Sequence, residues 1–480
     1  MRGDSCMALW AVAPEMVLAG LALALVPVAG LARGRRWRAV PSFAALAGLA
    51  AALVVTALML RAEPTAAFCG TWAVDRFATF YKLLIEFGSL ITVLVLLSHL
   101  DRQPQAAHAP VMVLFAAVGG MGLVASLDLG LIVLFLQMLS LPSYLLVGLV
   151  RSDRHAQEAA LKYFLYAAAA LAVMAYGLTF LFGLTGSLDL RAIGQGLQAA
   201  DRAWVAVALG LVLVGYAFEA TLVPFHFWAP DAYEGATAPA AGFISVVPKI
   251  AAFGGLLRLL LEAIPAGEAG WPLVMAAIAV ASMLLGNLVA LRQRRLKRLL
   301  AYSSIAQAGY VLMAVAVAQR AAGAVAAVGF YLAAYLFMNL GAFIVTAQLE
   351  RTLGTDSLDA IRGLGRRSPW SAGAMALALL SLAGIPPLAG FAGKIFLLSA
   401  AISGGMAWLA VIGAVNMAVG LYYYVRVIAE MYFEPPLRQE PVTTGLGYAV
   451  GLGLSIIGTL LLGIAPGAGL SLSTLGQLLP

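Results

Sequence analysis

The sequence predicts an all-α, polytopic membrane protein, and three observations carry this prediction. Hydrophobic residues make up 63% of the 480 positions and charged residues only 11%, whereas a typical soluble domain has about 25% charged residues. Mean hydropathy is +0.96, and one soluble core cannot hide so much apolar surface. The apolar runs are continuous rather than alternating, which favours helices over a transmembrane barrel. Together they exclude a soluble enzyme, a disordered chain and a disulfide-stapled secreted domain.

Fourteen apolar segments are long enough to cross a membrane, since each span needs about 20 residues. No linker between them is long enough to form a separate soluble domain. The first segment does not resemble a signal peptide, because the residues before it are not basic. The predicted spans are 8–31, 39–60, 77–99, 109–126, 129–150, 158–184, 203–228, 238–263, 271–291, 299–319, 323–349, 369–403, 406–433 and 443–465.

Basic residues in the loops predict the orientation, because Lys and Arg concentrate in cytoplasmic loops. The loops after spans 1, 5, 9 and 11 hold most of them, so the net charge of +7 indicates membrane orientation rather than nucleic-acid binding. The odd-numbered loops are therefore predicted to be cytoplasmic, which puts both termini outside. The basic residues are Arg33, Arg35, Arg36, Arg38, Arg151, Arg154, Arg292, Arg294, Arg295, Lys297, Arg298, Arg351, Arg362, Arg366 and Arg367.

Spans 7 and 12 are interrupted by proline. Span 7 contains Pro224 and Pro230 within VPFHFWAPDAYEG, and span 12 contains Pro386 and Pro387 within AGIPPLAGFAGK. Proline removes a backbone donor and clashes with the preceding turn, so both helices are predicted to break. Broken helices in corresponding places of two halves indicate an internal repeat with an ion pathway near the membrane midplane.

Two lysines lie deep inside predicted spans. Lys249 is about 13 Å from either end of span 8 at 1.5 Å per residue, and Lys394 follows the break in span 12. A lysine at the centre of a membrane helix costs about 2.5–3.5 kcal/mol, so both are candidates for proton transfer. The structural alternatives are a buried ion pair for Lys249 and snorkelling along the broken helix for Lys394.

Three further ionisable residues are candidates. Glu219 precedes the break in span 7, where it can accept a proton or pair with a lysine, and His226 lies on the break itself. Histidine titrates near neutral pH, which suits a proton relay, although capping of free carbonyls is the alternative. Lys162 lies near the start of span 6 with Glu158 four residues before it, and this spacing also allows a simple interfacial ion pair.

Three other charged residues are predicted to be mainly structural. Lys82 and Glu86 in span 3 are four residues apart and are expected to form a local pair. Glu15 follows Pro14 at a helix start, where the helix dipole favours an anion.

The sequence contains no pattern typical of a cofactor or metal site. Cys6 and Cys69 do not cluster, whereas an iron–sulfur cluster normally needs four thiolates. The four histidines are scattered, and neither a P-loop nor a GxGxxG motif after a strand is present. The residues offer no nucleophile–base pair either, so we expect no bond-breaking chemistry on this chain.

Several long motifs resemble the antiporter-like membrane subunits of complex I, the NADH-quinone oxidoreductase, and cover residues 70–435. They are LSLPSYLLVG, EAALKYFLYAAAALAVMAYG, VPFHFWAPDAYEGATAP, PKIAAFG, KRLLAYSSIAQAGYVL, GIPPLAGFAGKIF and YYYVRVIAEMYF. The resemblance implies fourteen helices with broken helices 7 and 12 and two inverted five-helix repeats. The implied divisions are 1–105 for helices 1–3, 106–265 for the first repeat (helices 4–8), 266–435 for the second repeat (helices 9–13) and 436–480 for helix 14.

The resemblance also implies a function. Complex I passes electrons from NADH through FMN and iron–sulfur clusters to quinone, and partner subunits hold those centres. A chain of this family carries a proton path in the membrane arm, beside other membrane-arm subunits in the bacterial inner membrane. The family's lysines in helices 6, 8 and 12 match Lys162, Lys249 and Lys394, and its PFH histidine matches His226. Neither a cofactor, a metal nor a nucleic acid is expected on this chain itself.

Two positions depart from the family pattern. Gln137 stands where the family usually has a helix 5 glutamate, and Glu219 stands where it usually has a helix 7 lysine. The usual pair is neutral, whereas this one is negative when Glu219 is ionised. We hypothesise that Glu219 pairs with Lys162 in place of the missing glutamate. Gln307 replaces a histidine of some relatives and removes another titratable group.

Three alternatives to a complex I subunit are left open by the residues. A subunit of a multi-subunit cation/proton antiporter shares the motifs of helices 7 to 12. A membrane-bound hydrogenase-type complex would drive the same module with another electron donor. A structural subunit that has lost transport is suggested by Gln137. Lys249 and Lys394 argue against that loss, because idle buried lysines only reduce stability.

Overall fold

The computed structural model describes residues 8–32, 34–100, 103–150, 152–264, 270–442 and 444–474. Cys6, Arg33 and Arg151, named above, lie outside the described residues. A short antiparallel hairpin pairs β1 (Thr65–Ala67) with β2 (Trp72–Val74). The helices are α1 Ala13–Leu31, α2 Arg35–Met59, α3 Arg76–His99, α4 Ala109–Ala125, α5 Leu129–Val147, α6 Arg154–Thr185, α7 Leu190–Gly196, α8 Arg202–Glu219, α9 Trp228–Gly235, α10 Ala238–Glu262, α11 Trp271–Ala290, α12 Leu296–Val315, α13 Ala324–Leu353, α14 Leu358–Ile361, α15 Leu364–Arg367, α16 Pro369–Ala383, α17 Ala389–Ser403, α18 Ala407–Tyr432, α19 Leu446–Ile464 and α20 Pro466–Thr474.

The predicted all-α, multi-pass fold is confirmed. In the described part of the chain, 12 helices are long and apolar enough to cross a membrane. The remaining two predicted spans correspond to α12, which has 20 residues, and to the shorter apolar helices α16 and α17. Helices α16 and α17 have 15 residues each and are too short to cross alone, which is why they must be counted as one crossing.

Both predicted breaks are present. Residues 220–227 separate α8 from α9, and residues 384–388 separate α16 from α17. Gly384 ends α16 with φ of 91°, a left-handed conformation that favours glycine at this position. Pro224 lies within the first break, whereas Pro230 lies in the first turn of α9, where its missing N–H is not needed.

Alternate loops lie on the same face of the bundle. Asp128, after α4, forms a β-bridge with Asp189, after α6. Arg295, after α11, forms a β-bridge with Ser357, after α13. Consecutive spans that cross in opposite directions must produce this arrangement. The face that carries Arg295 and Ser357 is called the odd-loop face below.

Helices α10 and α13 form the centre of the bundle. In the most apolar 18-residue stretch of each of these two helices, 94% of the residues are buried. The corresponding share is 33% for the spans that contain α1, α6 and α19. The guanidinium of Arg258 on α10 is buried and lies 2.9 Å from Asp75, whose carboxylate also caps the start of α3. Charged side chains on α10 are therefore enclosed by protein and kept away from lipid, as membrane-embedded charges require.

Candidate functional site

Lys249 lies at the centre of the bundle and is 1% exposed. Its ammonium donates to the backbone oxygen of Ser304 at 2.7 Å and to the hydroxyl of Ser304 at 2.6 Å. The ring of Tyr335 lies 5.5 Å from the same nitrogen, and the Tyr335 hydroxyl also donates to Ser304. The partners of Lys249 are thus neutral oxygens and a ring face, and the alternative of a buried ion pair is not supported in the described residues.

Lys394 bridges the second break. It lies on α17 and donates to the backbone oxygens of Leu382 at 2.7 Å and Ala383 at 2.9 Å, the last two residues of α16. A helix end presents free carbonyls and partial negative charge, which stabilise a cation. Gly384 allows this approach, because a Cβ there would lie 2.9 Å from Lys394 Cδ. The side chain is 4% exposed, so it caps the helix end instead of snorkelling to solvent.

Hydrogen-bonding groups on α12 lie between the two lysines. Ser304 binds Lys249, and Gln307 follows it one helical turn later. The Gln307 amide donates to the Leu382 backbone oxygen at 3.1 Å, the same oxygen that accepts from Lys394. Gln307 also accepts from Tyr331 and donates to Tyr424. Gln307 cannot titrate, yet it shares an acceptor with Lys394, so α12 carries buried polar contacts at both lysines.

Glu219 is the last residue of α8, at the edge of the first break, and is 2% exposed. One carboxylate oxygen accepts from the hydroxyl of Ser140 on α5 at 2.9 Å. Its other oxygen has no hydrogen-bond partner in the described part of the chain. The hypothesis that Glu219 pairs with Lys162 is wrong. Ser140, within the LSLP motif and one turn after Gln137, provides the contact from α5 instead.

Lys162 pairs with two other carboxylates. Its ammonium lies 2.8 Å from Glu158 and 3.0 Å from Asp231, and its side chain is 42% exposed. Glu158 lies one turn earlier on α6, and Asp231 lies on α9, beyond the first break. Both reach Lys162 near the odd-loop face, whereas Glu219 ends the opposite half of the broken span. The expected interfacial pair with Glu158 is therefore present, with a second partner that spacing along the chain did not indicate.

Lys162 lines a cavity of about 380 Å³ at the odd-loop face. Acidic groups outnumber basic ones along its wall. Arg295 and Arg298 crosslink this region by ion pairs to Glu234 and Asp231. The ionisable residues that line the cavity are Asp153, His155, Glu158, Lys162, Asp231, Glu234, Arg295, Lys297, Glu350 and Asp356.

His226 and Gln137 contribute less to this arrangement. His226 lies on the first break as predicted, is 4% exposed, and its Nδ1 has no hydrogen-bond partner among the described residues. Its ring lies against Phe227. Gln137 is half-buried on α5. The structure thus brings Lys249 and Lys394 together through α12, but it gives neither His226 nor Gln137 a contact to that chain.

Sequence reasoning missed the neutral members of the site. Ser140, Ser304 and Tyr335 each bind a buried ionisable group, and none was singled out. The serines do lie inside motifs quoted above, LSLPSYLLVG and KRLLAYSSIAQAGYVL. Ser140 lies one helical turn from Gln137, and Ser304 lies one turn from Gln307. This spacing from a position where relatives carry an ionisable residue is the signal that could have identified both serines.

The expected local pair of Lys82 with Glu86 is wrong. Lys82 on α3 lies 2.7 Å from Glu15 on α1, and the carboxylate of Glu86 accepts from Thr56 on α2 at 2.7 Å. Helix packing brings side chains of α1 and α2 into contact with Lys82 and Glu86, and these contacts replace the expected contact between neighbouring turns of α3. Glu15, expected to be structural, is half of a buried ion pair.

No group of three or more His, Cys, Asp or Glu that could hold a metal ion is present in the ranges that the structure describes. Cys69, in the loop between α2 and α3, is disulfide-bonded.

Two broken membrane helices, each next to a buried ionisable residue, define the class: this is an antiporter-like, ion-pathway membrane subunit. The chain belongs to the family described as "NADH:quinone oxidoreductase/Mrp antiporter, TM", which matches residues 126–420. The resemblance to complex I subunits is thereby confirmed, and it extends to one subunit in particular. NADH-quinone oxidoreductase subunit N 2 of Roseiflexus castenholzii is 39% identical over 472 residues, covering 95% of this chain and 94% of the relative.

Solved structures give the same result. A chain of respiratory complex I from Thermus thermophilus is 36% identical, with a TM-score of 0.82, covering 95% of this chain and 98% of that one. A chain of the Mrp complex from Dietzia sp. DQ12-45-1b has a TM-score of 0.86 over 98% of this chain and 97% of that one, at 22% identity. The second likeness, at 22% identity, shows a shared fold alone.

Proposed function

We infer that this chain is the proton-translocating N-type subunit of an NADH-quinone oxidoreductase. The observation that carries this proposal is that α12 holds buried polar contacts at both lysines: Ser304 accepts from Lys249, and Gln307 shares the Leu382 oxygen with Lys394. Lysines with neutral partners can lose and regain a proton without leaving a carboxylate unpaired, which a permanent ion pair would not allow. Similarity to subunit N over most of the chain supports the assignment.

Each candidate residue has a proposed role. Lys162 and the cavity gather protons at the odd-loop face, since an excess of acidic over basic groups along its wall attracts cations. Glu219 binds a proton at the first break, next to Ser140, with His226 as a further relay group on that break. Lys249 and Lys394 pass a proton along the centre of the bundle.

Coupling to electron transfer lies in partner subunits. NADH, quinone, FMN and iron–sulfur clusters are handled there, and this chain performs no redox step. The other neighbours are membrane-arm subunits and lipid. The proposed internal organisation keeps helices 1–3 (residues 1–105), two inverted repeats (106–265 and 266–435) and helix 14 (436–480).

Orientation follows from two independent features. Most basic loop residues are on the odd-loop face, which favours a cytoplasmic position for that face. Disulfides persist in oxidising compartments, and Cys69 is in the loop between α2 and α3, on the opposite face. Both features support the proposal that the termini lie outside the cytoplasm of a bacterial inner membrane.

The test is purification of this chain from its own membranes in mild detergent, followed by identification of what co-purifies. Recovery of flavin and iron–sulfur subunits with NADH-driven quinone reduction is the expected result. Recovery of membrane subunits alone, with Na⁺-dependent proton exchange that needs no NADH, would establish the antiporter alternative.

Lys249→Met then tests the pathway in the same complex after reconstitution into vesicles. We expect proton movement per NADH to fall while assembly is kept, because the methionine keeps the apolar stem of the side chain. Arg320→Gln, an exposed change elsewhere, is the matched control. Unchanged proton movement in Lys249→Met would contradict the pathway but not the subunit assignment.

A further inference from the structure

A second group of buried charges lies in the first three helices, outside the matched family region of residues 126–420. It contains Glu15 on α1, Thr56 on α2, and Lys82 and Glu86 on α3. These side chains are 5%, 0%, 2% and 0% exposed, in that order. Lys82 lies 2.7 Å from Glu15 and its nitrogen is 4.9 Å from the ring centre of Trp72.

The group holds two carboxylates but one cation. Lys82 is engaged by Glu15. Glu86 accepts one hydrogen bond, from the neutral hydroxyl of Thr56, and its other oxygen has no partner in the described part of the chain. Helix α4, which packs beside α1, α2 and α3, has no titratable residue between its ends. Asp75 at the start of α3 pairs with Arg258 of α10 at 2.9 Å, and Lys249 of α10 donates to Ser304. An ionised Glu86 would thus be buried without a counter-charge, which is strongly unfavourable.

We propose that Glu15, Lys82 and Glu86 form a separate proton-binding site, in which Glu86 carries the proton while Lys82 pairs with Glu15. Lys82 and Glu86 are one turn apart on α3, so the same ammonium can turn from one carboxylate to the other. When it does, the O–H bond of Glu86 breaks and an O–H bond forms on Glu15. Lys82 keeps its charge, and the group stays neutral in both arrangements.

The two carboxylates lie at different depths. Gly88 packs against Val247, and Gly254 packs against Tyr81, so α3 and α10 run antiparallel and Glu86 lies at the membrane depth of Lys249. Glu15 is in the first turn of α1, close to the end of the bundle. A proton that moves from Glu86 to Glu15 therefore travels from the middle of the bundle towards the face opposite the odd-loop face.

The test is infrared spectroscopy of protonated carboxyl groups in the intact complex, in native membranes. Glu86→Gln is expected to remove one carboxylic-acid band, and the isosteric amide keeps the acceptor for Thr56. Lys82→Met is expected to add a band, doubling the signal from this group, because both carboxylates must then be neutral. Glu63→Gln, at an exposed position before the hairpin, is the matched control and should change nothing.

An unchanged spectrum in Glu86→Gln would overturn the proposal, as would a Lys82→Met spectrum without an additional band. If Glu86→Gln fails to assemble, Lys82→Met and the wild-type band still decide the result. Glu219→Gln gives a separate band change, so failure of this proposal and failure of the central pathway can be distinguished. Loss of signal in Glu219→Gln alone would mean that the N-terminal group is a fixed ion pair.

Discussion

The two broken helices end in opposite ways. Helix α16 ends in two carbonyls that Lys394 caps with a full positive charge. Helix α8 ends in the carboxylate of Glu219, which receives one hydrogen bond from Ser140. A cation is favoured at a helix C-terminus and an anion is not. The second break is therefore stabilised electrostatically by its ionisable residue, whereas the first break holds an ionisable residue in an unfavourable place.

This difference shows that two similar breaks need not do the same task. At the second break, one lysine both holds the structure and is placed to carry a proton. At the first break, the structure is held by other contacts, such as the stacking of Tyr163 on Trp228 at 3.9 Å. Variants that separate charge from structure should therefore act differently at the two breaks.

The largest effect is expected at Lys394. Lys394→Met leaves the Ala383 carbonyl without its donor and should destabilise the chain by about 1–3 kcal/mol. Proton transfer should fall about 100-fold, the low end of what a positioned proton-transfer group contributes. NADH-driven vesicle acidification and thermal unfolding measure the two effects.

Lys394→Arg separates the effect on stability from the effect on proton transfer. Arginine keeps the charge and the donors but does not lose its proton in proteins. Stability should be largely retained while proton transfer is lost. If Lys394→Arg transfers protons as well as the wild type, Lys394 is a cap and nothing more.

A smaller effect is expected at Glu219. Glu219→Gln keeps an acceptor for Ser140 and removes the proton-binding group, so proton transfer should fall, by less than in Lys394→Met, with no loss of stability. Ser140→Ala should have the opposite pattern. It should keep proton transfer and lower stability by about 1 kcal/mol, because Glu219 loses its one hydrogen bond. The same two assays report both variants. Equal stability loss in the two would indicate that Glu219 is structural.

A further prediction concerns the double variant Gln137→Glu with Glu219→Lys, which restores the usual family residues at the first break. Gln137→Glu alone places a second carboxylate one turn from Ser140, and Glu219→Lys alone places an unpaired lysine there. The double variant should recover stability relative to the sum of the single changes, with a coupling of about 1–2 kcal/mol. Additive effects in a double-mutant cycle would mean that α5 and α8 are not electrostatically coupled at this point.

The smallest effect is expected at Lys162, which faces a wide cavity and is 42% exposed. Lys162→Gln should leave thermal stability unchanged and slow proton transfer less than either change at the breaks. Because salt screens exposed charges over about 10 Å at 0.1 M and 3 Å at 1 M, this difference from the wild type should shrink as salt is raised. A salt-independent defect as large as that of Lys394→Met would contradict a role confined to the cavity.

Much of the fold could be predicted, because membrane helices are specified locally. Each span is an uninterrupted apolar run, and each break contains proline, so the chain itself encodes where helices form and stop. Lys249 and Lys394 were also identifiable, since a lysine far from a helix end stands out in an apolar sequence. These features depend on residues that are neighbours in sequence.

Partners of the charged residues were not predictable in this way. Spacing suggested Lys82 with Glu86 and Glu219 with Lys162, yet Lys82 binds Glu15 and Glu219 binds Ser140. In a packed bundle, a side chain one turn away competes with side chains from several other helices, and helix rotation and depth decide which is nearest.

The sequence by itself determined how many times the chain crosses, where two crossings break and which lysines are buried. Only the tertiary structure decided that Lys249 and Lys394 are joined through α12, and that Glu15, Lys82 and Glu86 form a group of their own. The physical reason is that hydrophobic length is a property of a segment, whereas the environment of a buried charge is a property of all the helices around it.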